Sequence, residues 1–469
     1  MVDSKVAGIC YFVDSLFWWI DEMTQIGAGM DGRFEAYVEA LSGVLGHSDR
    51  TRPLHDYCSG LLLPGERKSV EPMAALVAPD RVGAKHQSLL HFVGQADWSD
   101  ARVLAKVRDL VLPALEPSGG IEAWIVDDSG IPKKGVHSVG VARQYCGRLG
   151  KQDNCQVAVT LSVANHAASL PVAYQLYLPE AWAADAARRV KAGVPDAVTF
   201  KTKPQIALDQ IRAALAEGIA PGVVLADAAY GCNGALRAGL TAAGLTYAVA
   251  IQSNASVWPS DLEPLPAKPW SGHGRPPSRL QRGPGHAPVA VKDLAMSLPS
   301  AFATITWREG SNTPLTSRFA ALRVRPAARR ATLLPIEWLL VEWPEGEAEP
   351  TQYWLSTLPQ DITLDALVDL AKLRWRIERD YQELKSELGL AHYEGRGWRG
   401  FHHHATLTIA AYGFLIRERA AIPPSAAKIR QIAAVPNRPR PRGAADPTRT
   451  TRAKLDHHPA KAAHRSPRQ

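Results

Sequence analysis

Two short apolar runs, AWIV at 123–126 and VVLA at 223–226, are each closed by an aspartate, Asp127 and Asp227. Unbroken apolar runs of this length suit central strands covered on both faces of a sheet. An aspartate directly after such a strand sits at the rim, on the carboxyl side, where α/β sheets gather ligand-binding groups. The alternative for each is an aspartate that closes a turn or caps a helix. Asp128 competes with Asp127, because alternation along a strand aims neighbouring side chains to opposite faces.

Around these runs the texture is that of a mixed α/β core. Strand-like segments at AWIVDD, QVAVTLSV and LPVAYQLYL precede a helix at PQIALDQIRAAL, closed by Gly218. A strand at GVVLAD, a helix near GALRAGLTAAG and a strand at TYAVAI follow. Strands alternating with helices in this order predict a ribonuclease-H-like catalytic core. Upstream, Phe34, Tyr37, Val38, Leu41, Val44 and Leu45 share one helical face. Ser99 is placed to cap a helix carrying Val103, Leu104, Val107 and Leu110, which Pro113 ends. The chain thus divides into a helical N-terminal domain at 1–118, suited to binding DNA ends or to packing alone, and a core at 119–251 and 359–422. A β-rich insertion at 252–358 and a basic tail at 423–469 complete it.

The core is expected to close with one helix from about Leu364 to Leu388. At 100° per residue, Leu370, Leu373, Ile377, Leu384 and Leu388 form its apolar stripe, and Arg374, Glu378, Tyr381 and Lys385 the adjoining one. Glu378 is then an acid held at the core boundary between two cations, an arrangement that holds phosphates. An exposed Arg–Glu pair on an ordinary surface helix gives the same spacing. Three carboxylates, Asp127, Asp227 and Glu378, match the needs of phosphodiester chemistry with two divalent ions about 4 Å apart. Magnesium suits such oxygen ligands, with manganese as a substitute.

Charge says less than it first suggests. The net +8 is carried by the tail, where eleven Lys or Arg oppose two Asp from Lys428 onward; that +9 leaves the rest near −1. A tail of this Pro- and Arg-rich composition is expected to be disordered and to add nonspecific phosphate affinity or nothing. Five cysteines without CxxC spacing make a structural zinc site improbable and fit a reducing cytoplasm. The apolar stretch GICYFVDSLFWWI is broken by Asp14 and too short to span a bilayer, so it reads as a buried helix or a leader. A cytoplasmic, nucleoid-associated protein without a membrane partner is expected.

Two further segments are candidate DNA contacts. Lys133 and Lys134 form a basic loop beside the first aspartates, without the spacing of a phosphate-cradling P-loop. In EGRGWRGFHHH, Arg396, Trp398, Arg399 and His402 would line a DNA path, with the indole stacked on an unpaired base. The plainer expectation for the three histidines is one buried and two in polar contacts. No GxSxG or nucleophilic-cysteine context supports a hydrolase triad.

These motifs resemble the DDE transposases of bacterial insertion sequences. Arg374, Glu378 and Lys385 match three positions of the family pattern Y-x2-R-x3-E-x6-K, whose tyrosine position holds Ala371 here. VDDSGIPKKGVHSVGVARQYCGRLGKQDNCQVAV, LADAAYG and RWRIERDYQELKSELGL resemble the insertion-sequence-701 family, within the insertion-sequence-4 superfamily. The resemblance implies Asp127, Asp227 and Glu378 as the catalytic and metal-binding residues. It implies Arg374 and Lys385 as phosphate-binding cations. It also implies magnesium-dependent nicking of double-stranded DNA at terminal inverted repeats, strand transfer into target DNA, and at least a homodimer on the DNA. The alternatives are a catalytically inactive DNA-binding protein of the same descent and a structure-specific nuclease.

Overall fold

The computed structural model describes residues 29–275, 279–308, 314–327 and 333–421; the expectations for the N-terminal apolar stretch and the basic tail lie outside them. Five helices come first: α1 at 29–42, α2 (Thr51–Leu62), α3 (Val70–Val77), α4 (Val82–Gly94) and α5 (Asp100–Val111). Ser99 caps α5, its side chain accepting from the Arg102 N–H, as the spacing predicts. Then come β1 (Ala123–Pro132), β2 (Ala142–Cys146), β3 (Lys151–Ala164), β4 (Ser169–Leu176), α6 (Glu180–Ala183), α7 (Ala186–Ala192), α8 (Lys203–Ala216), β5 (Val223–Ala226), α9 (Ala228–Gly231), α10 (Gly234–Ala242) and β6 (Tyr247–Ile251). The next stretch holds β7 (Ser256–Pro259), β8 (Val289–Ala290), α11 (Val291–Met296), β9 (Ala303–Arg308), β10 (Leu315–Pro326), β11 (Glu337–Trp343) and β12 (Gln352–Ser356). Helices α12 (Leu364–Lys372), α13 (Trp375–Gln382) and α14 (Trp398–Ala421) close the described chain.

The strands form one mixed sheet in the order β2-β3-β1-β5-β6-β12-β11-β10-β7-β8, with β4 also on β3 and β9 on β10. Strand β1 runs antiparallel to β3 and parallel to β5, which in turn runs parallel to β6. The fold is therefore mixed α/β. The β-rich stretch continues this sheet rather than building its own, because β12 pairs antiparallel with β6. Helix α12 is fastened to that extension by Lys372, whose Nζ lies 2.7 Å from Glu342 of β11 and 4.6 Å from the Trp307 ring centre.

Register tells which helices cover which face. Asp127 is opposite Thr160, which is opposite Tyr174, so the three share a face. Tyr174 stacks on Phe401 of α14 at 6.0 Å, and Asp127 meets Arg374 beside α13, which places α13 and α14 over that face. Asp128 lies on the other face and meets Lys203 at the start of α8.

Helix α14 is buried on nearly every side, and the N-terminal helices wrap it. Tyr37 of α1 donates to the Ala410 carbonyl at 2.9 Å, and Arg33 pairs with Glu418 at 2.6 Å. Gly413 admits this packing, since a Cβ there would stand 2.9 Å from Val111 of α5.

Two expectations need correction. First, the closing helix is not uniform. Arg376 donates to the Leu373 carbonyl and Ile377 to that of Arg374, a tightening to i→i+3 bonds between α12 and α13. After α13 the chain widens into a π turn over Glu383–Glu387, where Leu388 donates to the Glu383 carbonyl, and ends at Gly389 with φ 73°. Burial of Leu373, Ile377, Leu384 and Leu388 is kept by these adjustments.

Second, His402, His403 and His404 are all buried, because α14 is covered all round. His404 sits with Nδ1 against the Tyr57 hydroxyl and Nε2 against the Gly389 carbonyl, at 2.9 and 3.0 Å. His402 accepts from the Leu176 N–H and donates to the Trp398 carbonyl. His403 stacks on Trp98 at 3.6 Å and lies between the Val93 and Trp98 carbonyls.

Burial pushes the His403 and His404 imidazoles down to about 4, below the ordinary 6.5. The unfolded chain therefore takes up these protons first as the pH falls below 6.5, and each ring costs the fold up to about 1.4 kcal/mol per pH unit on the way to about 4. We expect the melting temperature to fall steeply from pH 6.5 to 4.5. A smaller slope in His404→Gln is the check; an equal slope assigns the acid sensitivity elsewhere.

Candidate active site

The rim expected from the sequence forms where β1, β5 and α13 meet. Asp127 follows the four buried residues Ala123–Val126 of β1, and Asp227 follows β5, its parallel neighbour, so the two aspartates emerge side by side. Asp227 also caps α9: its Oδ1 accepts from the N–H groups of Ala229 and Tyr230 at 2.9 and 3.3 Å. The two readings of this residue thus coincide, one carboxylate oxygen capping and the other left to the cleft. Glu378 reaches the same cleft from the first turn of α13, with its side chain 68% exposed.

Arg374 joins them. Its guanidinium lies 3.1 Å from Asp127 Oδ2 through Nη2 and 3.2 Å from Glu378 Oε1 through Nη1. Burial works against its charge, but Asp127, Asp227 and Glu378 outweigh burial and hold it protonated. Burial pushes the Asp127 carboxyl up to about 6; Arg374 and the Asp128 N–H pull it down, while Asp227 and Asp128 push it further up. Among the described residues no three acidic, histidine or cysteine side chains close on a single point, and the Arg374 guanidinium stands between Asp127 and Glu378.

Asp128 is committed to another task. Lys203 meets its Oδ2 at 2.5 Å and the Tyr230 hydroxyl donates to its Oδ1. That leaves Asp127 as the β1 carboxylate facing Arg374 and Glu378. Neither Lys203 nor Tyr230 was singled out from the sequence. The capping box of Thr202 and Gln205 was a signal that locates Lys203 in the first turn of α8.

The cleft, about 910 Å³, is bounded opposite the aspartates by Gln382, Lys385 and Ser386. Lys385 lies 5.5 Å above the Tyr381 ring, and burial lowers its ammonium from the ordinary lysine value. Tyr381 lines the cleft with Arg374, Glu378 and Lys385, the stripe expected of it, but lies deeper than they do. It is 5% exposed, with its hydroxyl turned toward Thr160 and Ser162 of β3, because α13 packs directly on that face.

The other proposed DNA contacts lie outside this cleft. Lys133 donates to the Tyr393 carbonyl at 2.5 Å and is pushed down to about 8 by burial, whereas Lys134 is exposed. Arg396 is exposed. Trp398 lies against His402 at 4.3 Å, so its ring already has a partner. Arg399 holds the Gln95 carbonyl at 2.8 Å and Asp97 at 3.2 Å, tying α14 to the α4–α5 loop. No helix among the described residues is long and apolar enough to cross a membrane.

The mixed sheet thus delivers two aspartates from adjacent parallel strands to one cleft, with a glutamate from a covering helix. The chain belongs to the DDE superfamily endonucleases, whose family model matches residues 40–314, more than half of its length. That match includes Asp127 and Asp227 and stops before Glu378. A relative from Microchaete diplosiphon, described as a probable transposase for insertion sequence element IS701, is 33% identical over 190 residues. The match covers 40% of this chain and 46% of the relative.

The position of Asp227 depends on how closely α9 approaches β6. A Cβ on Gly231 would stand 1.9 Å from the Ala250 carbonyl oxygen and 3.1 Å from the Val249 Cβ. We expect Gly231→Ala to cost about 1–3 kcal/mol of stability by overpacking and to displace the Asp227 cap. Thermal unfolding checks the first effect. An unchanged melting temperature would contradict the close approach.

Proposed function

We propose that this protein is a transposase that cuts DNA at the ends of a mobile element and joins the freed 3′ ends to target DNA. The observation that carries the reading is the lining of one cleft by Asp127, Asp227 and Glu378, from three separate elements, with one guanidinium between the first and the last. The strand order β3-β1-β5-β6, antiparallel and then parallel, supports a ribonuclease-H-like core. The helices before β1 would form the end-binding domain, and the chain would act as a homodimer on two DNA ends.

The residues suit a divalent ion. All three are hard oxygen donors that line one cleft, and an ion held by them would take the place that the Arg374 guanidinium fills between Asp127 and Glu378. Asp127, Asp227 and Glu378 would hold magnesium, or manganese in its place; when bound, the ion supplies Lewis acidity at the attacking and leaving oxygens of the phosphodiester. Arg374, released from the carboxylates that it bridges, binds the phosphate oxygens. Lys385 holds the adjoining phosphate from the cleft wall. Lys203 and Tyr230 keep Asp128 turned away, so that Asp127 is presented in one orientation. Lys134 and Arg396, both exposed, contact the backbone of the flanking duplex.

The test is cleavage of a duplex carrying the inverted repeats that flank the coding sequence. We expect magnesium-dependent nicking at the repeat boundary. Asp127→Asn, Asp227→Asn and Glu378→Gln should each lower the rate at least about 100-fold while DNA affinity stays within about twofold. Because the Asp127 carboxyl sits near 6, it is protonated below that value and charged above it, so the magnesium needed for half-maximal rate should fall as pH rises from 5 to 7. Binding without cutting in either metal would make the chain a DNA-binding relic. Cutting of random duplexes as fast as repeat ends would make it a general nuclease.

A further inference from the structure

One feature beside the cleft has no part in the chemistry above. The β2–β3 hairpin ends in a tight turn, Gly147–Leu149, closed by Gly150 at φ 63°. Its tip carries Tyr145, 61% exposed, and the exposed Arg148. Both line the cleft that holds Asp127, Asp227 and Glu378. Among the described residues the Tyr145 ring has no aromatic or cationic partner, and Arg148 has no carboxylate within ion-pair reach.

This tip is built into the site. Cys146 is fully buried and rests on β1 at Gly130, three residues beyond Asp127. A Cβ on Gly130 would stand 3.0 Å from the Cys146 sulfur, so any larger residue there would press the hairpin outward by a few tenths of an ångström. The anchored Cys146 fixes its neighbour Tyr145 on the outward side, as the alternating burial of β2 shows. The cleft that Arg148 lines is also lined by Lys385, whose ammonium lies 5.5 Å from the Tyr381 ring centre. Arg148 and Lys385 are thus two cations on one cleft, and a phosphate entering it can meet both.

We propose that the hairpin tip engages the DNA end: Tyr145 stacks on an unpaired base beside the cut, and Arg148 with Lys385 clamps the neighbouring phosphate. This rests on the DNA-cutting reading and deepens it by naming a preferred substrate, a duplex whose boundary nucleotide is unpaired. An exposed tyrosine supplies a flat face at little entropic cost, and stacking of this kind is worth about 1–3 kcal/mol per base. A phosphate between Arg148 and Lys385 would keep the unpaired strand in line with Asp127.

The test compares binding of two probes in calcium, without cleavage. One is a fully paired inverted-repeat duplex, and the other has a mismatch at the boundary nucleotide. The wild-type chain should bind the mismatched probe roughly tenfold more tightly, matching the stacking range. Tyr145→Ala should lose that preference and Tyr145→Phe should keep it. Arg148→Ala should weaken both probes alike and reduce the salt dependence by about one phosphate contact. A wild-type chain without the preference, or a Tyr145→Ala chain that retains it, overturns the proposal. Cleavage by Asp227→Asn at the wild-type rate would instead sink the nuclease reading, while the binding comparison still decides the role of Tyr145.

Discussion

The guanidinium of Arg374 between Asp127 and Glu378 is the contact on which the rest of the site depends. Carboxylates gathered at a half-buried rim repel one another, and burial alone moves Asp127 toward its neutral form. A single fixed cation offsets part of this, and the Asp127 carboxyl still stands at about 6. It stands where the chain tightens to i→i+3 bonds at Leu373–Ile377, with Leu373 and Ile377 in the core. A guanidinium that bridges two acids is also a cation within reach of phosphate oxygens once other positive charge enters the cleft.

Everything behind that contact serves to hold three elements in register. The parallel pairing of β1 with β5 sets Asp127 beside Asp227, and the cap on α9 fixes the second carboxylate. Helix α13 is pressed onto the sheet by Ile377, Tyr381 and Leu384, and α14 with the N-terminal helices backs the same face. The second face supplies Lys203 and Tyr230, which keep Asp128 occupied. Two adjacent aspartates on one strand thus meet opposite surroundings, because strand alternation sends them to opposite sides.

Much of this was legible in the sequence, for physical reasons. Apolar runs ending in aspartate mark strands that leave a sheet at its rim; β5 ends so at Ala226, whereas β1 runs on past Asp127 to Pro132 against β3, and only its pairing with β5 stops at Val126. The spacing of Arg374, Glu378 and Lys385 survives as a shared lining of the cleft, although the helix that carries them is first tightened and then widened. Tyr381 keeps its place on that stripe, but its burial was not legible, because a 100° count cannot tell a boundary residue from a buried one. The three histidines were misread because a helix covered on all sides has no solvent face, a property of tertiary packing alone. Tyr145, Arg148 and Lys203 escaped notice for a similar reason. Each reaches the site from a hairpin or helix distant in sequence, and no local pattern records that meeting.

We propose above that Asp127, Asp227 and Glu378 together hold a divalent ion. Anomalous scattering from crystals grown with manganese tests it most directly. The account predicts manganese bounded by oxygens of these three residues, with the Arg374 guanidinium withdrawn from Asp127. Manganese held by Asp128 instead, or no manganese within the cleft of crystals saturated with it, would contradict the account.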